Sequence, residues 1–570
     1  MILFPILARE ARRAAQQRAL YRCRLGSVIV AVLIAEFLLG QARVWTSSAA
    51  AGREIFGWLI WIGFAFCLFA GVLFASGLLC QERKEGSLAL LFLTRLSGLD
   101  VILGKLTAIL LLTCQVALGL FPILALCIPL GGVSIGEFWR AAEALLATLV
   151  LSLSTGLFIS ALNRELSRSV LITFAVILLP TTLIGFFDSI LRQSFPGTTV
   201  GGVLPGLIPL MTTILDEQRS ATPGSFGLIL ASQFLLAGVL LMLGGRMLKR
   251  LSIASAPAPG RLGRFIHARS AMSVEERGEL LQRNPIYWLS QRHRWRWLGA
   301  WTLFCLLIVL WFFGFEYFQF VPGARLLTIF AMAPLLHLLL KAAMASECAS
   351  RLAGARGGEL ELLLSTPLTS GQIIRGQRRG LMRQFLWPII TMLAVDLVFA
   401  LAYGRITAQR DVTSIVGYLF IYGLGISMII DAPALAWVGL WQGLRCETTI
   451  QALQNTMARV IVLPLVIFAI TAPIVALPLV GGRELFTFLG LAGKSDAADW
   501  TIGFILYWWL VSFVTNVFLE RDARFHLKNF LRFIAADPRA ARAVLDAGPH
   551  RRGRPAPRFE RNYHRVMQST

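Results

Sequence analysis

The chain has 570 residues, 56% of them hydrophobic and 15% charged, with a mean hydropathy of +0.69. Such values lie outside the range of soluble globular domains and imply a multi-span membrane protein. A formal net charge of +23 would suit nucleic acid, but most of it falls in three stretches between or beyond the apolar runs, where a basic rim facing anionic lipid explains it better.

The first of these, Met1 to Arg24, carries six arginines on a helical pattern. It has no compact apolar core before a cleavage site, so it does not read as a signal peptide, and targeting falls to the spans themselves. A helix needs about 20 apolar residues to cross the hydrocarbon core with its backbone polar groups satisfied internally. Runs meeting that need fall near 25–42, 55–80, 101–130, 138–162, 169–187 and 226–246, then near 298–315, 326–345, 384–403, 412–441, 459–480 and 500–519. The third and tenth are long enough to tilt or break, the third at Pro122 or Pro129. With the amino terminus inside, most Lys and Arg lie in cytoplasmic segments, as the positive-inside rule requires. The eight cysteines, Cys23, Cys67, Cys80, Cys114, Cys127, Cys305, Cys348 and Cys446, form no C-x-x-C pair and have no histidine at zinc-ligand spacing. They fall in the membrane or on the reducing side, so free thiols are expected, with no disulfide and no metal.

An internal repeat orders these runs. GSLALLFLTRLSGLDVILGK from Gly86 and GELELLLSTPLTSGQIIRGQ from Gly358 align without a gap, and eight of twenty positions are identical. Upstream, Phe4 to Arg18 resembles Asn284 to Trp297, each a Pro-led basic amphipathic helix ahead of the first span of its half. Because six spans per half is an even number, both halves enter the membrane in the same direction. The expected fold is therefore all-α transmembrane, about twelve helices as two parallel six-helix repeats with both termini cytoplasmic. Residues 1–250 form the first half, 251–283 a linker marked by the Pro and Gly of SAPAPGRLG, 284–519 the second half and 520–570 a basic tail.

On this topology Glu82 to Gly98 is a loop between the second and third spans. Leu88, Leu91, Phe92 and Leu96 recur at helical spacing, and Leu360, Leu363, Leu364 and Leu368 repeat them in the second half, so each loop presents an apolar stripe that something must cover. The cover is either the chain's own cytoplasmic ends or a partner. The loop resembles the membrane subunits of type-2 ABC exporters, whose first cytoplasmic loop commonly reads E-R-x-x-G-T-L-E-L-L-L-x-T-P-L-S, then G-K before the third span. Glu82, Arg83, Gly86, Leu88, Leu90, Leu91, Thr94, Leu96, Ser97, Gly104 and Lys105 match in the first half. In the second, Gly358, Leu360, Glu361, Leu362, Leu363, Leu364, Thr366, Pro367, Leu368 and Thr369 match, with Gly376 for the glycine of G-K. The resemblance implies that each loop is a coupling helix seated on an ATPase subunit, that the basic helix before each half is a connecting helix, and that Phe187 to Gly227 holds a pair of short outer helices. Arg95 stands where the pattern has proline, Gly354 to Gly357 replaces Glu82 to Glu85, and Gln377 replaces the lysine, so the two loops are unequal.

The chain has no ATPase site of its own by this reading. GLDVILGKL has five residues between its glycines where a P-loop has four, and Leu106 where a Ser or Thr would meet magnesium; LTSGQ has no nucleotide-binding domain around it. ATP and magnesium are expected on the partner subunit, with no cofactor here and no compact catalytic constellation. Inside the spans stand Glu36, Lys341, Asp396 and Asp431, with His337 one turn before Lys341. Lys341, near the cytoplasmic end of its span, is expected to snorkel, while Asp396 and Asp431 are candidates for a transport pathway, with structural pairing as the alternative. The function implied is the transmembrane subunit of an ABC transporter in a bacterial inner membrane, exporting an unidentified substrate with separate ATPase subunits. An ion-driven secondary transporter and a membrane scaffold remain the alternatives.

Overall fold

The computed structural model describes residues 48–84, 97–163, 165–177, 223–253, 284–291, 322–353, 364–406, 412–446, 448–472 and 497–536, with single positions between, among them Leu88, Phe92 and Leu93. Among these residues there is no strand. The helices are α1 Ser48–Ala70, α2 Leu78–Lys84, α3 Gly98–Ala117, α4 Phe121–Leu130, α5 Ile135–Leu162, α6 Leu166–Ile177, α7 Pro223–Ile253, α8 Pro285–Gln291, α9 Pro322–Ala353, α10 Ser370–Ile406, α11 Val412–Arg445, α12 Thr449–Met457 and α13 Ala497–Ala536. Seven apolar helical stretches are long enough to cross a membrane: Gly52–Cys80, Gly98–Ala117, Ile135–Leu162, Phe226–Arg250, Ser370–Arg405, Ile415–Arg445 and Thr449–Ala472. Two further predicted runs, 326–345 and 500–519, fall on α9 and α13. The runs at 25–42 and 298–315, the linker, the stretch 187–222 and the tail beyond 536 lie outside the described residues, apart from single positions.

The third predicted span breaks where a proline allows it. α3 ends at Ala117, α4 begins at Phe121, and Pro122 occupies its first turn, where the missing N–H costs nothing. The tenth does not break, because α11 runs through Pro433 unbroken. Ala434, Leu435 and Ala436 beyond it are completely buried, and packing against α9, α10 and α13 holds the helix together. Between α4 and α5 the chain turns on Gly131 and Gly132, with φ of 86° and 81°. Gly132 also lies so close to α1 that a Cβ would sit 2.1 Å from the Ala49 carbonyl oxygen. Ser134 and Glu137 then cap α5 reciprocally.

Packing follows the same order in both parts of the chain. α5 packs on α1, α3 and α7, and α3 on α1 and α7; α11 packs on α9, α10 and α13, and α10 on α9 and α13. Outside, large apolar side chains such as Leu235, Leu401 and Phe518 are exposed, as a lipid-facing surface requires. Polar side chains turn inward. Between helices in lipid, small residues permit the close approach that dispersion needs. Gly71 and Gly156 meet across α1 and α5, while Gly439 and Gly443 of α11 rest on Cys348 and Ala349 of α9.

At Gly71–Ala75 the end of α1 widens into a π-helical turn, which leaves carbonyls out of register with their helical donors. Each finds another donor. Ser152 Oγ of α5 accepts from the Gly71 N–H at 2.9 Å and donates to the Leu68 carbonyl at 2.6 Å. Ser76 Oγ takes the Val72 carbonyl, Ser169 Oγ of α6 the Ser76 carbonyl, and Gln454 Nε2 of α12 the Leu73 carbonyl at 2.9 Å. One turn on, Ser160 Oγ accepts from the N–H groups of Leu79 and Cys80. Small side chains at Ser152, Gly156 and Ser160, one turn apart on α5, thus both admit the bulged helix and satisfy it.

A single methyl group tests this close approach. A Cβ at Gly71 would lie 2.0 Å from the Ser152 carbonyl oxygen, whereas one at Gly238 meets nothing within 4 Å. Gly71→Ala is expected to destabilise the protein by about 1–3 kcal/mol, and Gly238→Ala to leave it unchanged or more stable, as read from thermal unfolding midpoints in detergent.

Candidate functional site

The loop after α2 is tied at its base by an ion pair between two of its motif residues. Glu82, near the end of α2, meets Lys105, two turns into α3, with Lys105 Nζ 2.6 Å from Oε1. Arg83 Nη1 donates to the Ala161 carbonyl at the end of α5. Both side chains of the ion pair are largely buried, so the attraction is less screened than on an open surface. In the second part of the chain both members change together: Gly354 aligns with Glu82 and Gln377 with Lys105. Gln377 instead accepts from Arg351 Nη1 of α9 at 3.4 Å, and Arg351 also reaches Gln384 at 2.6 Å and Glu347 at 3.2 Å. The helices before and after each loop are therefore joined by polar contacts in both cases, through different chemistry.

Where each loop ends, the two are alike. Ser97 caps α3, accepting from the Asp100 N–H at 3.2 Å while Asp100 Oδ2 accepts from the Ser97 N–H at 3.0 Å. Thr369 and Gln372, the residues aligned with them, form the same box on α10 at 3.3 and 2.9 Å. α8, the short helix after Asn284, lies across the start of α10. Asn284 Oδ1 accepts from the N–H groups of Ile286 and Tyr287, its Nδ2 donates to the Gln372 carbonyl, and Arg383 reaches the Tyr287 hydroxyl at 2.8 Å. Gly376 makes room, since a Cβ there would lie 2.8 Å from Asn284 Oδ1. The basic amphipathic helix identified from sequence is thus fastened directly to the helix that follows the loop.

The apolar stripe divides. Leu88 is 1% exposed and belongs to the chain's own core, against which Phe92 and Leu364 also pack. Leu88, part of the stripe that either the chain's own ends or a partner would cover, is covered by the chain itself. Leu93, outside the predicted stripe, is 83% exposed, and Thr366 and Pro367 are exposed while Leu368 is half-buried. Gly86, Leu91, Thr94, Leu96, Gly358, Leu360 and Leu363 lie outside the described residues.

Residues 3–196 match the ABC-2 type transporter family. The match spans about one third of the 570 residues and takes in the loop between Glu82 and Lys105. Such a domain is the membrane-spanning part of an ABC transporter, without an ATPase site of its own, and normally partners with ABC ATPase subunits. No curated protein matches the chain. With seven apolar helices of spanning length among the described residues, it is a multi-pass membrane protein.

In the later spans, beyond the matched residues, the buried ionisable residues form two pairs. Lys341 Nζ of α9 lies 2.6 Å from Asp431 Oδ2 of α11 and 3.1 Å from Ser427 Oγ. Asp431 Oδ1 accepts from Asn516 Nδ2 of α13 at 2.6 Å. One turn earlier on α9, His337 Nδ1 is 2.9 Å from the Ala333 carbonyl, and Nε2 is 3.2 Å from Asp396 Oδ2 of α10. All four ionisable groups are at least nine-tenths buried. Lys341 does not snorkel: a carboxylate and a hydroxyl within reach on α11 hold it inside. Asp431 pairs with Lys341 and Asp396 faces His337, although both oxygens of Asp396 and Nε2 of His337 lack an aligned hydrogen bond. Glu36 lies outside the described residues. The gap-free alignment, carried one span either way, sets Ala65, Phe69 and Leu124 against His337, Lys341 and Asp396. This polar knot has no aligned counterpart there. Asn516 and Ser427 were not singled out from sequence; each is an uncharged polar residue within an apolar run, a weak signal that acquires meaning only once the charges are placed.

Removing one member of a buried pair strands the other. Lys341→Met is expected to cost about 3–5 kcal/mol, and Lys341→Met combined with Asp431→Leu to recover most of that loss. A double-mutant cycle of unfolding midpoints would measure it.

Proposed function

We propose that the chain is the transmembrane subunit of an ATP-driven exporter, with two six-span halves, residues 1–250 and 284–519, fused in one polypeptide of a bacterial cytoplasmic membrane. The observation that carries this reading is the paired construction of the two loops. Capping boxes at Ser97/Asp100 and Thr369/Gln372 stand at aligned positions, each loop has its flanking helices tied by polar contacts, and the helices around each loop pack in the same order. The ABC-2 match over residues 3–196 supplies the functional class. ATP and magnesium bind separate ATPase subunits, and closure of those subunits pulls on both loops, shifting one conformational equilibrium of the spans. The Glu82–Lys105 ion pair makes the first loop a stiff lever, because force on the loop passes to α2 and α3 together. The cargo is moved between the halves toward the outside.

Co-purification of the tagged chain with its cognate ATPase tests the proposal. Leu91→Glu together with Leu363→Glu is expected to release the ATPase while membrane insertion stays normal, and Leu93→Glu to weaken the complex alone. Undiminished ATPase recovery in the Leu91→Glu, Leu363→Glu protein would overturn docking at these loops, and substrate movement by the purified chain under an ion gradient, without nucleotide, would replace the reading altogether.

A further inference from the structure

Where α10, α11 and α13 meet, two arginines converge on one tryptophan. Arg378 of α10 and Arg524 of α13 place their guanidinium carbons 5.2 and 5.0 Å from the ring centroid of Trp437 on α11. Trp437 is 5% exposed, yet its indole N–H has no acceptor, and neither has the buried Nε–H of Arg378. Both are donors, and buried donors are ordinarily paired. Arg524 is paired with Glu520, which leaves the positive charge of this corner in excess. Arg375, Arg379 and Arg383 add to it on α10, where the first acidic residue after Ser370 is Asp396; Arg521 and Lys528 add to it on α13, against Asp522, whose carboxylate contacts His526.

The surroundings select the kind of anion. Two to three turns toward the membrane on the same helices, Leu386 and Trp387 of α10 and Phe518 of α13 are exposed, so apolar surface begins where the basic surface ends. A ligand matching both halves of this surface has an anionic head and an apolar body. Two cation–π contacts also fix the guanidinium planes on the indole and spare the entropy of ordering them when an anion arrives. We propose that Arg378, Arg524 and Trp437 form a binding site for the phosphate group of an anionic phospholipid in the leaflet on the side of the loops. In the orientation of the exporter reading, on which this rests, that leaflet is cytoplasmic and anionic. The head group would accept from the Nη–H groups of Arg378 and from the outer edge of Arg524, with the acyl chains along Trp387 and Phe518.

The test uses the purified full chain, stripped of lipid in detergent and titrated with short-chain phosphatidylglycerol, short-chain phosphatidylcholine or inorganic phosphate, with bound adducts counted by native mass spectrometry. Phosphatidylglycerol is expected to bind the wild type. Arg378→Gln with Arg524→Gln is expected to weaken it about tenfold or more, and Arg375→Gln with Arg521→Gln, an equal loss of charge one turn away on the same two helices, to change it less than about twofold. If the double variant does not fold, Arg524→Gln alone, at an exposed position, carries the test with an expected loss of about threefold to fivefold. Equal binding by wild type and variant would overturn the site, and so would an equal loss with Arg375→Gln, Arg521→Gln, which would make the effect one of general charge. Occupancy by inorganic phosphate as strong as by the lipid would overturn the lipid assignment. Release of the ATPase without loss of lipid would assign the corner to an acidic protein surface instead. Lipid binding is read in the absence of ATPase and nucleotide, so its outcome is separate from that of the docking experiment.

Discussion

A polar group inside a lipid bilayer has no water to fall back on, and the architecture follows from that scarcity. Helices satisfy most of the backbone. The exceptions organise the packing: the π turn of α1 draws one helix after another toward itself, with Ser152, Ser169 and Gln454 each donating to a carbonyl that the turn releases. In the later spans side-chain charge has the same effect. Lys341 can stay in the interior because Asp431 and Ser427 come to it, and Asp431 because Asn516 completes its shell.

The positions of the apolar helices were largely legible in the sequence, because length and hydropathy are local properties and the bilayer imposes a narrow range on both. The break before Pro122 was legible for the same reason. The continuity of α11 through Pro433 was not, since whether a proline interrupts a helix depends on the neighbours packed around it. Motif residues were easier to find than to orient. Glu82 and Lys105 stood out as a pattern, but that they touch each other depends on the fold bringing α2 beside α3. Leu88 shows the limit of periodicity: helical spacing identifies an apolar face without saying which way each side chain turns, and this one turns inward.

The two parts of the chain share a plan and differ in substance. A carboxylate and an ammonium brace the first loop, while a guanidinium and two amides brace the second. Replacing both members of the Glu82–Lys105 contact at once avoids an unpaired buried charge, the costliest intermediate between the two arrangements. The same economy appears at the interior network, where charge is introduced as complementary groups. Compensated pairs of this kind leave no charge stranded, and the capping boxes, which depend only on local geometry, are alike on both sides.

The contact between Gln454 and the Leu73 carbonyl joins residues 381 positions apart. At a translation rate of about 5–20 residues per second, roughly 20–80 s separate the emergence of the acceptor from that of its donor. Throughout that interval the early helices lack the Gln454 amide that meets this carbonyl in the folded chain. The early packing around the π turn is therefore completed only by a helix made much later.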